Sequence, residues 1–152
     1  MSEWIENRPY DDISIGETAV LTRTVTHEDI NRFAQVSGDF NPAHLDPEYA
    51  AGTPFGGVIA HGMFTGALIS TVLGTLLPGP GTIYVSQTLK FTRPVRPGDT
   101  LTVTLTCREK QDEKKRVILD CAAVNQDGKK VAVGEAEVVA PTEKMRVPKA
   151  TL

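Results

Sequence analysis

The stretch Met63-Phe64-Thr65-Gly66-Ala67-Leu68-Ile69-Ser70-Thr71-Val72-Leu73-Gly74-Thr75-Leu76-Leu77 decides the fold. Met63, Phe64, Ala67, Leu68, Ile69, Val72, Leu73 and Leu76 fall on nearly every face of a helix over 61–77. A helix apolar all round has to be buried on most of its sides. His61, Gly62, Thr65, Gly66, Ser70, Gly74 and Thr75 interrupt the run, so it falls short of the ~18 consecutive apolar residues of a membrane span. Leu77-Pro78-Gly79-Pro80-Gly81 stops it.

Downstream of this helix the pattern changes to that of an antiparallel meander. Residues 83–91 read as one strand, and Pro97-Gly98-Asp99 as a turn. Leu101-Thr102-Val103-Thr104-Leu105-Thr106-Cys107 alternates apolar and polar, the mark of a half-buried strand. Polar residues 111–115 turn the chain into a strand over 116–125, and Asp127-Gly128 signals a hairpin into a last strand over 130–140. Residues 141–152, with Lys144, Arg146, Pro148 and Lys149, have the composition of a linker or frayed end.

Upstream, residues 1–18 are polar and read as a surface arm that ends in a turn, followed by a short strand over 19–26. Thr26 and Asp29 resemble a capping box, and Ile30, Phe33, Ala34 and Ser37 recur at helical spacing over 27–37, where Gly38 closes the helix. Prolines 42 and 47 predict that residues 39–47 are irregular, with at most one helical turn over 47–51. The expected architecture is α+β, an antiparallel sheet of about five strands around one long buried helix. One domain over 1–140 precedes the tail at 141–152. The hidden second side of the helix needs more protein against it, which predicts a dimer.

Composition bounds the function classes. The 152-residue chain is 40% hydrophobic and 23% charged, ordinary values for one globular domain. Its net charge of −3 is intermixed along the chain, against a general grip on nucleic acid or an anionic membrane. Cys107 and Cys121 lack the spacing of a metal or redox pair, and both fall in strands as small apolar side chains. The start has neither a basic nor an apolar region of a secretory signal, so the expected location is cytoplasmic.

Two loops hold groups able to do chemistry. Asp39, Asn41, His44 and Asp46 lie within one short segment pinned by Pro42 and Pro47. A carboxylate and an imidazole on one rigid loop suit a pair that holds and polarises water, and Asn41 can brace it. An Asx-turn capped by Asp39 with a half-exposed His44 is the structural alternative. The second loop, Ile59-Ala60-His61-Gly62-Met63, opens the long helix. A glycine at a helix start lets a substrate carbonyl approach free N–H groups, the layout of an oxyanion hole; packing alone is the other explanation of Gly62. His61 reads as a buttress of the first loop. Ser70 either satisfies a helical carbonyl or, with Leu73, shapes an acyl pocket. A metal site from Asp39, His44 and His61 has nothing in the spacing to enforce it, so no metal is expected.

Taken together, Ser37-Gly38-Asp39-Phe40-Asn41-Pro42-Ala43-His44-Leu45-Asp46 and Phe55-Gly56-Gly57-Val58-Ile59-Ala60-His61-Gly62-Met63 resemble the MaoC-like (R)-specific enoyl-CoA hydratases. Residues 83–91 with Arg93-Pro94-Val95 and Gly98-Asp99 are similar to that family's central strand, and the similarity spans roughly residues 12–140. The resemblance implies a hot-dog fold, a homodimer or dimer of dimers, and hydration of trans-2-enoyl-CoA to (R)-3-hydroxyacyl-CoA. By position it implies Asp39 and His44 as the catalytic dyad, Gly62 as the oxyanion-hole glycine and Ser70 as an acyl-pocket residue. It implies no cofactor, since coenzyme A is part of the substrate, with Lys90, Arg93 and Arg96 as candidate phosphate partners. Hydratase modules fused ahead of phosphate acetyl- or butyryltransferase domains resemble this chain most, and 141–152 is similar to their linkers. With no transferase after residue 152, the expectation is an excised module or a stand-alone protein, and a phosphate acyltransferase is a candidate partner. A thioesterase and a non-catalytic acyl-CoA-binding or scaffolding subunit are the rival functions.

Overall fold

The computed structural model describes residues 3–152. The elements run β1 (Trp4–Glu6), a short 3-10 turn (Tyr10–Asp12), β2 (Thr18–Thr24), α1 (His27–Ser37), α2 (Pro42–Leu45), α3 (Pro47–Ala51) and α4 (Gly62–Thr75). Then come β3 (Ile83–Phe91), β4 (Thr100–Gln111), β5 (Arg116–Val124), β6 (Lys130–Val139) and β7 (Arg146–Pro148). Five strands form one antiparallel sheet in the order β2-β4-β5-β6-β3, with α4 against it. This is the expected helix-in-sheet arrangement.

Alternation along β4 buries Leu101, Val103, Leu105 and Cys107 and leaves the intervening threonines half-buried. The buried set meets Phe64, Leu68, Ile69, Val72 and Leu73 of α4 in one core. Burial of each large apolar side chain is worth about 1.5–3 kcal/mol, whereas a helix-interior glycine such as Gly66 or Gly74 costs about 1 kcal/mol. Packing, not intrinsic propensity, holds α4 in place. Gly66 lets α4 come close to β3: a Cβ there would lie 3.2 Å from Leu89 Cδ1 and 2.9 Å from Met63 Cε.

Four expectations need correction. First, the strands after α4 are not a simple meander. β4, β5 and β6 are, but β3 crosses to the far edge and pairs only with β6. Alternation reports which residues are half-buried, not which strand lies beside which. Second, the sheet covers α4 along one side only: within one chain Gly62, Met63, Ala67, Ser70, Thr71, Gly74 and Thr75 form an exposed face, with Met63 at 56%, the side for which the sequence predicts a second protein. That face is made mostly of small residues, while the bulky ones share the sheet side.

Third, residues 42–45 are helical, not irregular. Asn41 Oδ1 accepts from the Ala43 N–H and Pro42 takes the first helical position, where its missing N–H is no loss. Asp46 and Pro47 repeat the device at α3, which is the single turn expected. The α1 expectation holds in detail. Thr26 and Asp29 make the reciprocal capping box and Gly38 closes the helix at φ 78°.

Fourth, the N-terminal arm and the C-terminal tail are neither loose nor frayed; residues 1 and 2 of the expected arm lie outside the described residues. β1 pairs with β7, and Asn7, fully buried, joins three distant segments. Its Nδ2 donates to the carbonyls of Pro80 (3.1 Å) and Glu143 (2.9 Å), and its Oδ1 accepts from the Met145 N–H (2.9 Å). Cys107 and Cys121 are buried free thiols, as read. Among the described residues, no helix is long and apolar enough to cross a membrane.

Asn7→Ala would leave three partly buried main-chain groups without their partner at once. Unsatisfied groups of this kind cost about 1–3 kcal/mol each where water cannot replace the partner. The variant is expected to lose about 2–3 kcal/mol in urea denaturation; an unchanged midpoint would mean that the tail is not locked by this side chain.

Candidate active site

Local capping places Asp39. After α1 closes at Gly38, Ser37 Oγ accepts from the Asp39 N–H (3.2 Å) and donates to the Phe33 carbonyl (2.6 Å). Asp39 Oδ1 accepts from the Asn41 N–H (3.2 Å), so the aspartate also forms the Asx-turn weighed from the sequence. Asn41, used as the α2 cap, supports the loop. His44 then sits on α2, half-buried.

The second loop is stitched to the first. The Ile59 N–H donates to the Ala43 carbonyl (3.2 Å) and the Ala60 N–H to the Val95 carbonyl (2.7 Å). His44 Nδ1 lies 2.8 Å from the Ile59 carbonyl, and His61 Nε2 lies 2.9 Å from the Asp39 carbonyl. Carbonyl oxygens only accept, so each of these ring nitrogens carries its proton. In the neutral ring this puts the lone pair of His44 on Nε2, the nitrogen able to take a proton. The two rings stack with centroids 3.8 Å apart at 26°. Donor atoms of Asp39, His44 and His61 all lie within 4.8 Å of one another. The three are close enough to share one water or one ion, or to pass a proton between them.

His61 is also the N-cap of α4, but its side chain caps nothing. Gly62 occupies the first helical position and its N–H has no partner within the helix. A Cβ at Gly62 would lie 3.1–3.3 Å from the Phe91 ring, so glycine here keeps the floor of the site open beneath Phe91.

Two adjoining cavities share His44, Gly62 and Phe91. One, of about 480 Å³, includes Asp39, His61 and Met63; the other, of about 350 Å³, includes Phe55, Ile59, Thr65 and Arg93. Together they make an apolar groove with Asp39 and His44 at one end of the shared wall. The structure thus brings together Asp39, His44 and Gly62, with Asn41 one shell back. It does not bring Ser70 or Leu73 to either cavity. Leu73 is buried in the core against the sheet, and Ser70 lies on the exposed face of α4. The helical repeat sets these two about 60° apart, one on each side of the line where the buried face of α4 meets the exposed one, a boundary that an all-apolar pattern conceals. Of the basic candidates, Arg93 lines the groove, Arg96 donates to the Phe55 carbonyl (2.5 Å), and Lys90 is exposed outside both cavities. Sequence reasoning missed Phe91, Phe55 and the Ile59 carbonyl. Phe91 ends a strand and carries no local signal; only its strand's pairing at the sheet edge sets it over Gly62.

Comparison with known proteins shows which family has this sequence and fold. The family profile described as "MaoC like domain" matches residues 14–128. A 3-hydroxybutyryl-CoA dehydratase of Methylorubrum extorquens is 44% identical over 91% of this chain and 88% of its own length. An (R)-specific enoyl-CoA hydratase of Rhodospirillum rubrum is 48% identical over 87% of this chain and 91% of its own. Among solved structures, the unliganded R-hydratase PhaJ1 of Pseudomonas aeruginosa superposes with a TM-score of 0.94 at 51% identity, covering 98% of this chain and 96% of that one.

The contact between Gly62 and Phe91 is testable on its own. In a double-mutant cycle, Gly62→Ala should be costlier with Phe91 in place than in a Phe91→Ala background by about 1 kcal/mol, read from thermal or urea denaturation. Additive effects would mean that the ring does not rest over the glycine.

Proposed function

This chain belongs to the MaoC-like family, and we propose that it adds water to trans-2-enoyl-CoA to give (R)-3-hydroxyacyl-CoA, or runs the reverse dehydration. The fold is the hot-dog fold of its structural relatives. One observation carries the reading. Asp39 and His44, a carboxylate and an imidazole, line the same groove as the first turn of α4, whose N-cap side chain makes no capping bond.

In this scheme the thioester carbonyl accepts from the Gly62 N–H, helped by the positive end of the helix dipole. Charge that develops on that oxygen as C2 becomes enolate-like is stabilised there; a donor of this kind is worth about 3–4 kcal/mol of barrier. A water held between Asp39 and the His44 Nε2 lone pair loses a proton as its oxygen bonds to C3. The pair then returns a proton to C2, so atoms balance without a metal or cofactor. The acyl chain runs along the apolar wall, with Phe91 and Met63 beside it, and Arg93 faces the coenzyme A end.

The same site has an open side that a second copy fits. β3 is an edge strand with Ile83 at 61% exposure and Tyr84 and Val85 also exposed, next to the bare face of α4 bearing Met63, Ala67, Ser70 and Thr71. Unpaired strand edges of this kind invite pairing. The proposed assembly is a homodimer through β3, which would wall the groove with the partner's surface and put Ser70 beside it. The cytoplasm, and association with a phosphate acyltransferase, complete the proposal.

Crotonyl-CoA separates the reactions. Hydration removes the enoyl-thioester absorbance without free thiol, whereas thioester hydrolysis liberates coenzyme A thiol. The protein's own thiols are silent in such an assay: both are buried, and burial pushes Cys121 up to about 11. Asp39→Asn and His44→Gln are each expected to lower kcat by about 10²–10⁴ with substrate binding retained; wild-type turnover by either would sink the dyad. Sedimentation should give a dimer, and Val85→Glu a monomer. A wild-type monomer at micromolar concentration would remove the β3 interface.

A further inference from the structure

His61 is a polar side chain that the hydration scheme leaves without a task, and it is almost fully enclosed at the wall of the groove. It is 3% exposed, and its Nδ1 is a buried atom with no hydrogen-bond partner among the described residues. Its other ring nitrogen donates to the Asp39 carbonyl at 2.9 Å. Its ring stacks on His44 at 3.8 Å and meets Phe33 at 5.0 Å.

Each of these contacts runs against what the position would ordinarily hold. A helix N-cap is normally Ser, Thr, Asp or Asn, whose side chain satisfies an N–H of the first turn. Such a cap at residue 61 would fold its side chain back over the first turn, beside the Gly62 N–H that the thioester oxygen needs. His61 points its side chain away, toward Asp39, and leaves the approach to Gly62 uncovered. A bare polar atom in the interior is unfavourable, and a phenylalanine or leucine would fill the space beside Phe33 without one. The imidazole is explained by what its other atoms do: one N–H holds the main chain of Asp39, and one flat face fixes the plane of His44.

We infer that His61 is a positioning residue, kept neutral as the Nε2–H tautomer, that sets Asp39 and His44 relative to the open N-terminus of α4. It rests on the hydration reading above. The groups that face its ring are Phe33 from α1, Asp39 from the loop after α1, and His44 from α2. A proton on Nδ1 would have no acceptor and would set a cation against the ring of His44. Neutral His61 therefore leaves proton transfer to the dyad alone.

Three variants and one spectrum test this. Gln places an N–H where His Nε2 stands but offers no ring; Phe offers the ring but no donor; Ala offers neither. With crotonyl-CoA, His61→Ala should lose about 100-fold in kcat, the scale of an ångström of misplacement. KM should stay within about threefold, because a positioning defect acts on the transition state more than on binding. His61→Gln and His61→Phe should each recover part of that loss, Gln more than Phe, because the hydrogen bond acts directly on Asp39. Wild-type kcat in all three variants, or a Gln variant no better than Ala, would overturn the inference.

Long-range ¹H–¹⁵N correlation on the wild-type protein has only His27, His44 and His61 to resolve. It should show His61 protonated at Nε2 and His44 at Nδ1. A proton on His61 Nδ1 would refute the assignment even if every variant failed to fold. Should the wild type not hydrate crotonyl-CoA, the hydration reading fails while the tautomer pair still decides the placement of His61.

Discussion

Two hydrogen bonds, each from a histidine on one loop to a carbonyl on the other, set the relation on which the site depends. His44 on α2 donates to Ile59, and His61 before α4 donates to Asp39. The loops come from different parts of the chain, with α3 and the Phe55 turn between them. Removing either donor leaves a carbonyl without its partner and loosens the clasp, with the other histidine and the Ile59 N–H to Ala43 carbonyl bond left to hold the loops. Because the partners are both carbonyls, the bonds also dictate which ring nitrogen carries a proton. Position and tautomer are thus fixed together: the clasp that brings Asp39 and His44 to the end of α4 is the same one that turns the Nε2 of His44, not its Nδ1, away from the carbonyl.

The groove lies where the packed and open sides of α4 meet. Phe64, Leu68, Ile69, Val72 and Leu73 bind the helix to the sheet, while Gly62, Met63, Ala67 and Ser70 face outward. Stability and chemistry are therefore carried by different sides of one helix, and the small outward residues leave room without weakening the core. Asn7 serves the same separation from the far end of the molecule. By joining the turn after α4 to residues 143–145, it anchors the C-terminal end of the helix while the N-terminal end stays open to the groove.

What was legible in the sequence was what local rules govern. The Thr26–Asp29 capping box, the Gly38 terminator and the Asp127-Gly128 hairpin each depend on residues a few positions apart, and the structure has all three. Asp39, His44 and Gly62 stand out in the sequence because their loops carry a dense and specific motif, and the structure brings the three to one cavity. The failures share a different cause. Asn7 looked like part of a loose arm because its partners are carbonyls at residues 80 and 143, which no local pattern reveals. The position of β3 at the sheet edge, and with it the role of Phe91, depends on strand order, to which alternation is blind. Ser70 and Leu73 were grouped as one pocket wall because an apolar helix hides which side faces the sheet. The helical turn at residues 42–45 was missed because two prolines read as breakers, although each sits at the position where a helix tolerates one.

The central claim is that an enoyl thioester lies in this groove with its carbonyl on the first turn of α4 and C3 toward the pair. A crystal structure of the Asp39→Asn protein with crotonyl-CoA tests it most directly. The account predicts the thioester oxygen about 2.7–3.1 Å from the Gly62 N–H, with a water beside His44 Nε2 on the side of C3. A thioester carbonyl bound elsewhere, or an acyl chain that leaves C3 out of reach of both residue 39 and His44, would contradict it.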